Sequence, residues 1–275
     1  METVNCIICN SNPSVILKTF KCDNKESFNL VKCKCDFVYL NPRPDIKSIV
    51  KYYDSQYLTN KNRLSLLFKN LQKISFIWKY SKITKLFNTN KGLCLDIGSG
   101  NNTFSEFLES KKWETLSYDI NNGSFKINDI YNLKDNSIDL ITMWHSIEHF
   151  HNINEIFEII SKKIKDDGYL LIACPNIQAA EIKLLKNQWV AYDIPRHLYH
   201  FSPKSLSNYI NKFNFKVVSK YQMLQDTIFN IFMSLKHYNI FIRILFFCFI
   251  LIYSLITINY SNDKSSSYTY VCKIN

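Results

Sequence analysis

The stretch Leu95-Asp96-Ile97-Gly98-Ser99-Gly100-Asn101-Asn102-Thr103-Phe104 decides the fold, because an apolar run breaks at two glycines and passes into a helical pattern. Glycines at such a junction allow a tight turn, and the helix that follows offers free N–H groups and the positive end of its dipole. A dinucleotide fingerprint would want a third small residue at position 103, which is Thr. Asp96, two residues before Gly98, would repel a pyrophosphate, so its side chain is expected to face a cationic group. Asp119 ends the next β-type run, Leu116-Ser117-Tyr118-Asp119, where an acid can grip ribose hydroxyls. Together these residues describe a ligand with a ribose, a positive charge and no pyrophosphate.

From 92 to 221 short β-rich runs alternate with helical ones: 92–98 with 103–111, 138–144 with 153–164, 168–174 with a long connection, and 203–213 with 215–221. That alternation predicts parallel βαβ units in a doubly wound α/β sheet. The run 267–274 reads as one more strand. Residues 61–87 carry Leu64, Leu67, Phe68, Leu71, Ile74 and Trp78 at helical spacing, which predicts an amphipathic helix.

A ligand of that description is S-adenosylmethionine, and over 90–275 the chain resembles the class I S-adenosylmethionine-dependent methyltransferases. The resemblance rests on the glycine turn at 95–104, on Asp119, on Asn128-Asp129-Ile130, on the fourth-strand motif at 138–150 and on the fifth strand at 166–176. It implies a Rossmann-like seven-stranded sheet of order 3-2-1-4-5-7-6, with helices on both faces and an antiparallel last strand. It also implies that Asp96, Gly98, Ser99, Gly100, Asp119, Ile120, Asp129 and Trp144 bind the cofactor. Asn102 departs from the pattern, in which a third glycine is commoner. Asn41-Pro42-Arg43-Pro44, the spacing His145-x-x-Glu148-His149 and the run Asp193-Ile194-Pro195-Arg196-His197-Leu198-Tyr199-His200-Phe201-Ser202 are similar to a bacterial subgroup associated with surface-glycan assembly and sugar methylation.

Five of nine cysteines fall in the first forty residues. Cys6 and Cys9 can present two thiolates to one Zn²⁺, and Cys33 and Cys35 two more, with Cys22 as a substitute ligand. The module has too few apolar residues for a core of its own, which favours structural zinc over burial. The expected organisation is a zinc-ribbon-like module at 1–44, a helical linker or lid at 45–90, and a methyltransferase domain at 91–275 with an apolar helical segment, 228–258, inserted before the last strand.

His145, Glu148 and His149 follow the fourth strand, where a parallel sheet presents groups to its ligand crevice, and His197 comes from the connection after the fifth. Three readings stand for them: His145 or His197 as the base that deprotonates a hydroxyl, with Glu148 orienting it; a Glu-His plus His set that resembles the metal-binding residues of ubiquinone-pathway and small-RNA methyltransferases, which implies Mg²⁺ or Mn²⁺, those families carrying a further Glu where this chain has His145; or buried, satisfied side chains. Trp189, Tyr192, Tyr199 and Phe201 flank the same element and either stack on a sugar or cover the crevice.

Lys+Arg 34 against Asp+Glu 23 gives +11, which admits nucleic acid, an anionic membrane face or an acidic substrate. The basic residues form no dense block, so nucleic acid is the less favoured partner. With 5 Gly and 6 Pro the chain is not collagenous, and nine cysteines spread over 275 residues are not a disulfide scaffold. The start Met-Glu-Thr-Val-Asn-Cys lacks a basic and then apolar leader, which predicts a cytoplasmic protein, peripheral on the inner face of the cell membrane if 228–258 meets lipid. That segment admits three readings: a buried core helix, an interfacial helix, or a span. A single crossing would separate 215–221 from 268–274, so dipping is preferred to spanning. The function expected is methyl transfer from S-adenosylmethionine to oxygen, or less readily carbon, of a small or lipid-linked glycan acceptor. The alternatives are an RNA methyltransferase and a non-catalytic membrane-associated scaffold that keeps the fold.

Overall fold

The computed structural model describes residues 1–22, 26–53, 66–87, 92–119 and 127–275. In chain order its elements are β1 (Val15–Lys21), β2 (Ser27–Lys32), β3 (Val38–Leu40), α1 (Leu66–Ile83), β4 (Leu93–Ile97), α2 (Thr103–Glu109), β5 (Glu114–Tyr118), α3 (Ile127–Asn132), β6 (Ile138–Trp144), α4 (Ile153–Lys163), β7 (Ile164–Pro175), α5 (Ile182–Leu185), β8 (Tyr199–His200), α6 (Pro203–Asn211), β9 (Phe215–Gln222), α7 (Leu224–Ser234), α8 (Ile240–Tyr260) and β10 (Ser267–Ile274).

The large sheet has the order β5-β4-β6-β7-β10-β9. Its first four strands pair in parallel, and β10 lies antiparallel between β7 and β9. Strands covered on both faces carry near-continuous apolar runs, and β6, β7 and β10 obey this: Leu140, Ile141, Met143, Leu170, Leu171, Ile172, Val271 and Cys272 are all fully buried. The six strands occupy positions 2-1-4-5-7-6 of the order expected from the resemblance. A strand at the third position, outside β5, is not among the described residues. Asn128-Asp129-Ile130, expected in an acidic loop, lies within α3.

The N-terminal segment is not a separate body. Its strands join β8 in a second sheet, β1-β2-β3-β8, with Val38 opposite His200 and Tyr39 opposite Tyr199. Cys6, Val31, Cys33, Phe37 and Tyr39 share one core with Leu95, Ile97, Ile141 and Phe201 of the large domain. Arg43, 5% exposed, locks the junction by donating to Tyr199 Oη at 2.8 Å and to Glu2 at 2.6 Å. The boundary expected at residue 44 therefore divides the sequence but not the packing.

Helix α1 exists, and of the predicted apolar positions whose side chains are described, Trp78 packs inward and Ile74 does not. Ile74 and Ile77 are exposed, whereas Ile83 is buried and Phe76, Trp78 and Tyr80 pack against Phe104, Leu108 and Trp144. Aromatic rings dock on the aromatics of α2, so ring contacts set the register instead of the aliphatic stripe. The side chains of Leu67, Phe68 and Leu71, and Leu64 altogether, lie outside the described residues. The apolar insertion is two helices: α7, and α8 with 21 residues and a most apolar window of mean hydropathy 2.5 that is only 11% buried. The core-helix reading of that segment does not survive.

Candidate active site

Gly98 and Gly100 take left-handed backbone conformations at φ +77° and +58°. Gly98 is doubly constrained, because a Cβ there would stand 2.2 Å from the Cβ of Ser146. Ser146 in turn donates to the Ile97 carbonyl at 2.7 Å, and the Gly98 N–H donates to the Tyr118 carbonyl at 2.7 Å. The turn is thus wedged between the ends of β5 and β6. Asp119 follows β5 directly and accepts from the Gly100 N–H at 2.9 Å. Asn102, also left-handed at φ +60°, starts α2 and bonds Ser99 through its side chain at 2.8 Å. Chain reversal that a third glycine would ease is accomplished here by Asn, the non-glycine residue that best tolerates this region.

Asp96 is 2% exposed, and its carboxylate accepts from Thr142 Oγ1 at 2.6 Å and Ser105 Oγ at 3.1 Å. Burial raises its pKa, and the Thr142 hydrogen bond and the ammonium of Lys79 on α1 oppose that rise. Lys79 lies 4.5 Å from the ring centre of Trp144 and 5.0 Å from that of Phe104. Desolvation lowers its pKa to about 8 against the pull of Asp96 and Asp226. Trp144 is 9% exposed and its indole N–H is buried without a protein partner. Ile120 lies outside the described residues, and Asp129 sits in the first turn of α3.

A crevice of about 150 Å³ runs from Gly98 and Asp119 past Ser146 to His145 and His149, with Ile49 and Tyr53 of the short helix at 49–52 and its end as the opposite wall. His145 ends β6 at φ +52° and is steered away from its neighbours: its Nε2 lies 3.0 Å from Asp226 Oδ2, and its Nδ1 3.7 Å from Glu148. Burial alone would lower its pKa, but the Asp226 carboxylate and Glu148 overcome this and raise it to about 10.

His149 and His197 stand edge to face with ring centres 4.7 Å apart. His149 Nδ1 lies 3.0 Å from the Arg196 carbonyl and 3.1 Å from Tyr53 Oη, and His197 Nδ1 lies 2.9 Å from the Ala191 carbonyl. A carbonyl only accepts, so each Nδ1 carries a proton, and the lone pair of neutral His149 is left on Nε2, whereas His197 Nε2 lies 3.5 Å from Asp193 Oδ2 and 3.9 Å from Glu148 Oε1. Burial, reinforced by the neighbouring His197, lowers His149 to about 4. Glu148 is 1% exposed, and both its oxygens are buried without a hydrogen-bond partner. Burial would raise its pKa, yet His145 and the other imidazoles hold it at about 2. One ligand atom from each of Glu148, His149 and His197 falls within 4.8 Å of the others. Two imidazoles braced through Nδ1 around an orphaned carboxylate form a donor set that suits a divalent cation. His200, with its pKa lowered by burial to about 3, faces the small sheet.

The four thiols of Cys6, Cys9, Cys33 and Cys35 converge, with Cys6 to Cys35 at 3.5 Å and Cys9 to Cys33 at 3.3 Å. Zinc–sulfur bonds of about 2.3 Å in a tetrahedron place sulfurs roughly 3.8 Å apart, so this cluster is close to the size that Zn²⁺ needs. Cys22 is not in it; it lines a different cleft.

Three site residues escaped the sequence reading. Asp226 is the sole carboxylate between 222 and 262, an isolation that was its only signal. Lys79 looked like one of many lysines on an outward helix face, and Tyr53 like a linker aromatic.

A glycine turn wedged against Ser146, a carboxylate after the second strand, and a His/Glu crevice at the carboxyl ends of the strands define a methyltransferase of the S-adenosylmethionine-dependent class. The chain belongs to the family described as a methyltransferase domain, whose pattern matches residues 61–220. No curated protein matches the chain. Among solved structures, it is similar to the 1,6-didemethyltoxoflavin-N1-methyltransferase of Burkholderia thailandensis, at 10% identity and TM-score 0.52 over 94% of this chain and 99% of that one. It is also similar to an N-methyltransferase of Haemonchus contortus in complex with phosphomonomethylethanolamine and S-adenosylhomocysteine, at 13% identity and TM-score 0.52 over 86% of this chain and 62% of that one. At such identities the likeness is one of fold.

Proposed function

We propose that the protein transfers a methyl group from S-adenosylmethionine to a hydroxyl oxygen of a small or lipid-linked glycan acceptor. The cofactor would lie across the Gly98–Gly100 turn with its ribose on Asp119. The Burkholderia and Haemonchus structures, which hold S-adenosylhomocysteine on the same fold, support S-adenosylmethionine as the methyl donor. The acceptor hydroxyl would enter beside His149 and His197. Its oxygen attacks the methyl carbon, the carbon–sulfur bond breaks, and the hydroxyl proton passes to a free Nε2. Glu148 offsets the imidazolium so formed, and holding the hydroxyl in line with the sulfonium supplies much of the effect. The observation that carries this reading is the pair of imidazoles braced through Nδ1 against a buried carboxylate.

The same orphaned carboxylate favours a second reading of these three residues, as holders of Mg²⁺ or Mn²⁺. When bound there, the ion would supply the positive charge that acidifies a hydroxyl. Zn²⁺ on Cys6, Cys9, Cys33 and Cys35 would serve structure only, since four thiolates leave no open position.

Radiolabelled methyl transfer tested against nucleotide sugars, lipid-linked glycans and RNA, with and without a chelator, decides among these. Label in a sugar pool supports the proposal, and label in RNA overturns it. Failure to bind S-adenosylmethionine at all would leave only the scaffold reading. Loss of transfer with a chelator, restored by Mn²⁺, selects the cation reading of Glu148, His149 and His197.

A further inference from the structure

Helix α8 turns two different faces to two different media. Ile250, Ser254 and Ile258 are buried, and Phe247 and Leu251 pack with them into a core that includes Leu30, Trp189, Tyr192, Ile231 and Leu235. On the opposite side Phe241, Leu245, Phe249, Ile252, Ile256 and Tyr260 recur every three or four residues and are 54–86% exposed. At about 1.5 Å per residue this outward stripe runs about 30 Å. Ile228, Phe229 and Phe232 of α7 add to the exposed apolar surface beside it.

The helix cannot stand upright in a bilayer while the fold is intact. At one end it continues from α7, which is packed on the body and hydrogen-bonded to the chain beyond α8, from Asn230 to Ser266 at 2.8 Å. At the other end, Ser265, Ser266 and Ser267 are buried where β10 enters the sheet. Helix α8 therefore lies along the molecule, and what covers it must be a surface.

The surroundings identify that surface. Near the start of α8 a cleft of about 380 Å³ opens, lined by Trp189, Tyr192, His237 and the cationic side chains Lys21 and Lys236. Asp193 also lines it, but that carboxylate is held by Arg196 at 2.6 Å. Tyr238 and Tyr260, at the two ends of the helix, are both exposed, the position amphipathic aromatics take at a lipid–water boundary. A long apolar stripe with a basic cleft at one end matches an acyl layer with phosphate headgroups.

We propose that α7 and α8 dock on an anionic lipid bilayer, with α8 lying in the plane of the interface and the Lys21/Lys236/His237 cleft receiving a lipid phosphate.

Flotation of the full chain with vesicles of phosphatidylcholine, alone or with phosphatidylglycerol, tests this. The chain is expected to float with the phosphatidylglycerol vesicles and to float less at high salt. Phe249→Asp with Ile252→Asp should lower the bound fraction by more than about tenfold. Lys21→Glu with Lys236→Glu should abolish the preference for phosphatidylglycerol. Slowed amide exchange over 240–260 on those vesicles gives a readout free of any substitution. A chain that stays unbound on every vesicle overturns the proposal. So does a dimer, seen by sedimentation and split by Phe249→Asp, that ignores lipid, since the stripe would then face a second copy. Flotation without methyl transfer would leave this inference standing and sink the proposed activity.

Discussion

Gly98 shows how little freedom the cofactor turn has. Its φ of +77° and the 2.2 Å approach of a hypothetical Cβ to Ser146 act together, so Gly98→Ala should cost more than about 2 kcal/mol of stability, read from urea unfolding. Gly100 has the same handedness and no neighbour within 4 Å of such a Cβ, so Gly100→Ala should cost about half as much or less. Asp119→Ala is expected to weaken S-adenosylmethionine by more than about tenfold in calorimetry, about 1.4 kcal/mol. Unchanged affinity would remove the ribose assignment. Glu148→Gln keeps shape and burial but removes the charge, so it should leave cofactor affinity within about twofold while turnover falls by about a hundredfold. Equal turnover would return Glu148 to a structural role. The glycine turn and Asp119 were readable because local rules demand those residue types at those spacings. The orphaned state of Glu148 was not readable, because it depends on where residues 191–197 return.

At the scale of elements, β4, β6, β7 and β10 were legible as short apolar runs, because burial on both faces writes itself directly into composition. Helix α1 was legible as a helix, but its partners are rings on α2 and β6 that periodicity alone cannot reveal. Its Lys79, pressed among aromatics, has a testable signature. The folded pKa of about 8 lies below the ordinary 10.5, so the unfolded chain binds the proton more readily. Wild-type stability should therefore rise as pH increases from 8 toward 10.5, and Lys79→Met should flatten that rise. Identical slopes for the two proteins would show that the ammonium is well solvated. Asp226 belongs to the same lesson: α7 brings it to His145 across 81 positions of chain, a pairing that no local pattern encodes.

Across the whole molecule, one short strand joins the N-terminal segment to the larger fold. Because β8 pairs with β3, the segment from Asp193 to His200 is tied to the cysteine cluster through the small sheet. Chelation of a structural metal from the purified protein should thus lower the melting temperature by more than about 5 °C and reduce methyl transfer together, where an independent module would lose only its own structure. Differential scanning calorimetry showing a separate low transition with activity preserved would refute that coupling.

The position of β10 carries a consequence for synthesis. It enters the middle of the sheet, between β7 and β9, yet it is made after α8. Between the emergence of α8 and that of Ser267–Ile274 from the ribosome, β7 and β9 both present open backbone edges beside the greasy helix. A nascent chain paused there has its most adhesive surfaces bare at once, so its escape from aggregation depends on how quickly the final strand is delivered or on how soon a holding partner reaches the helix.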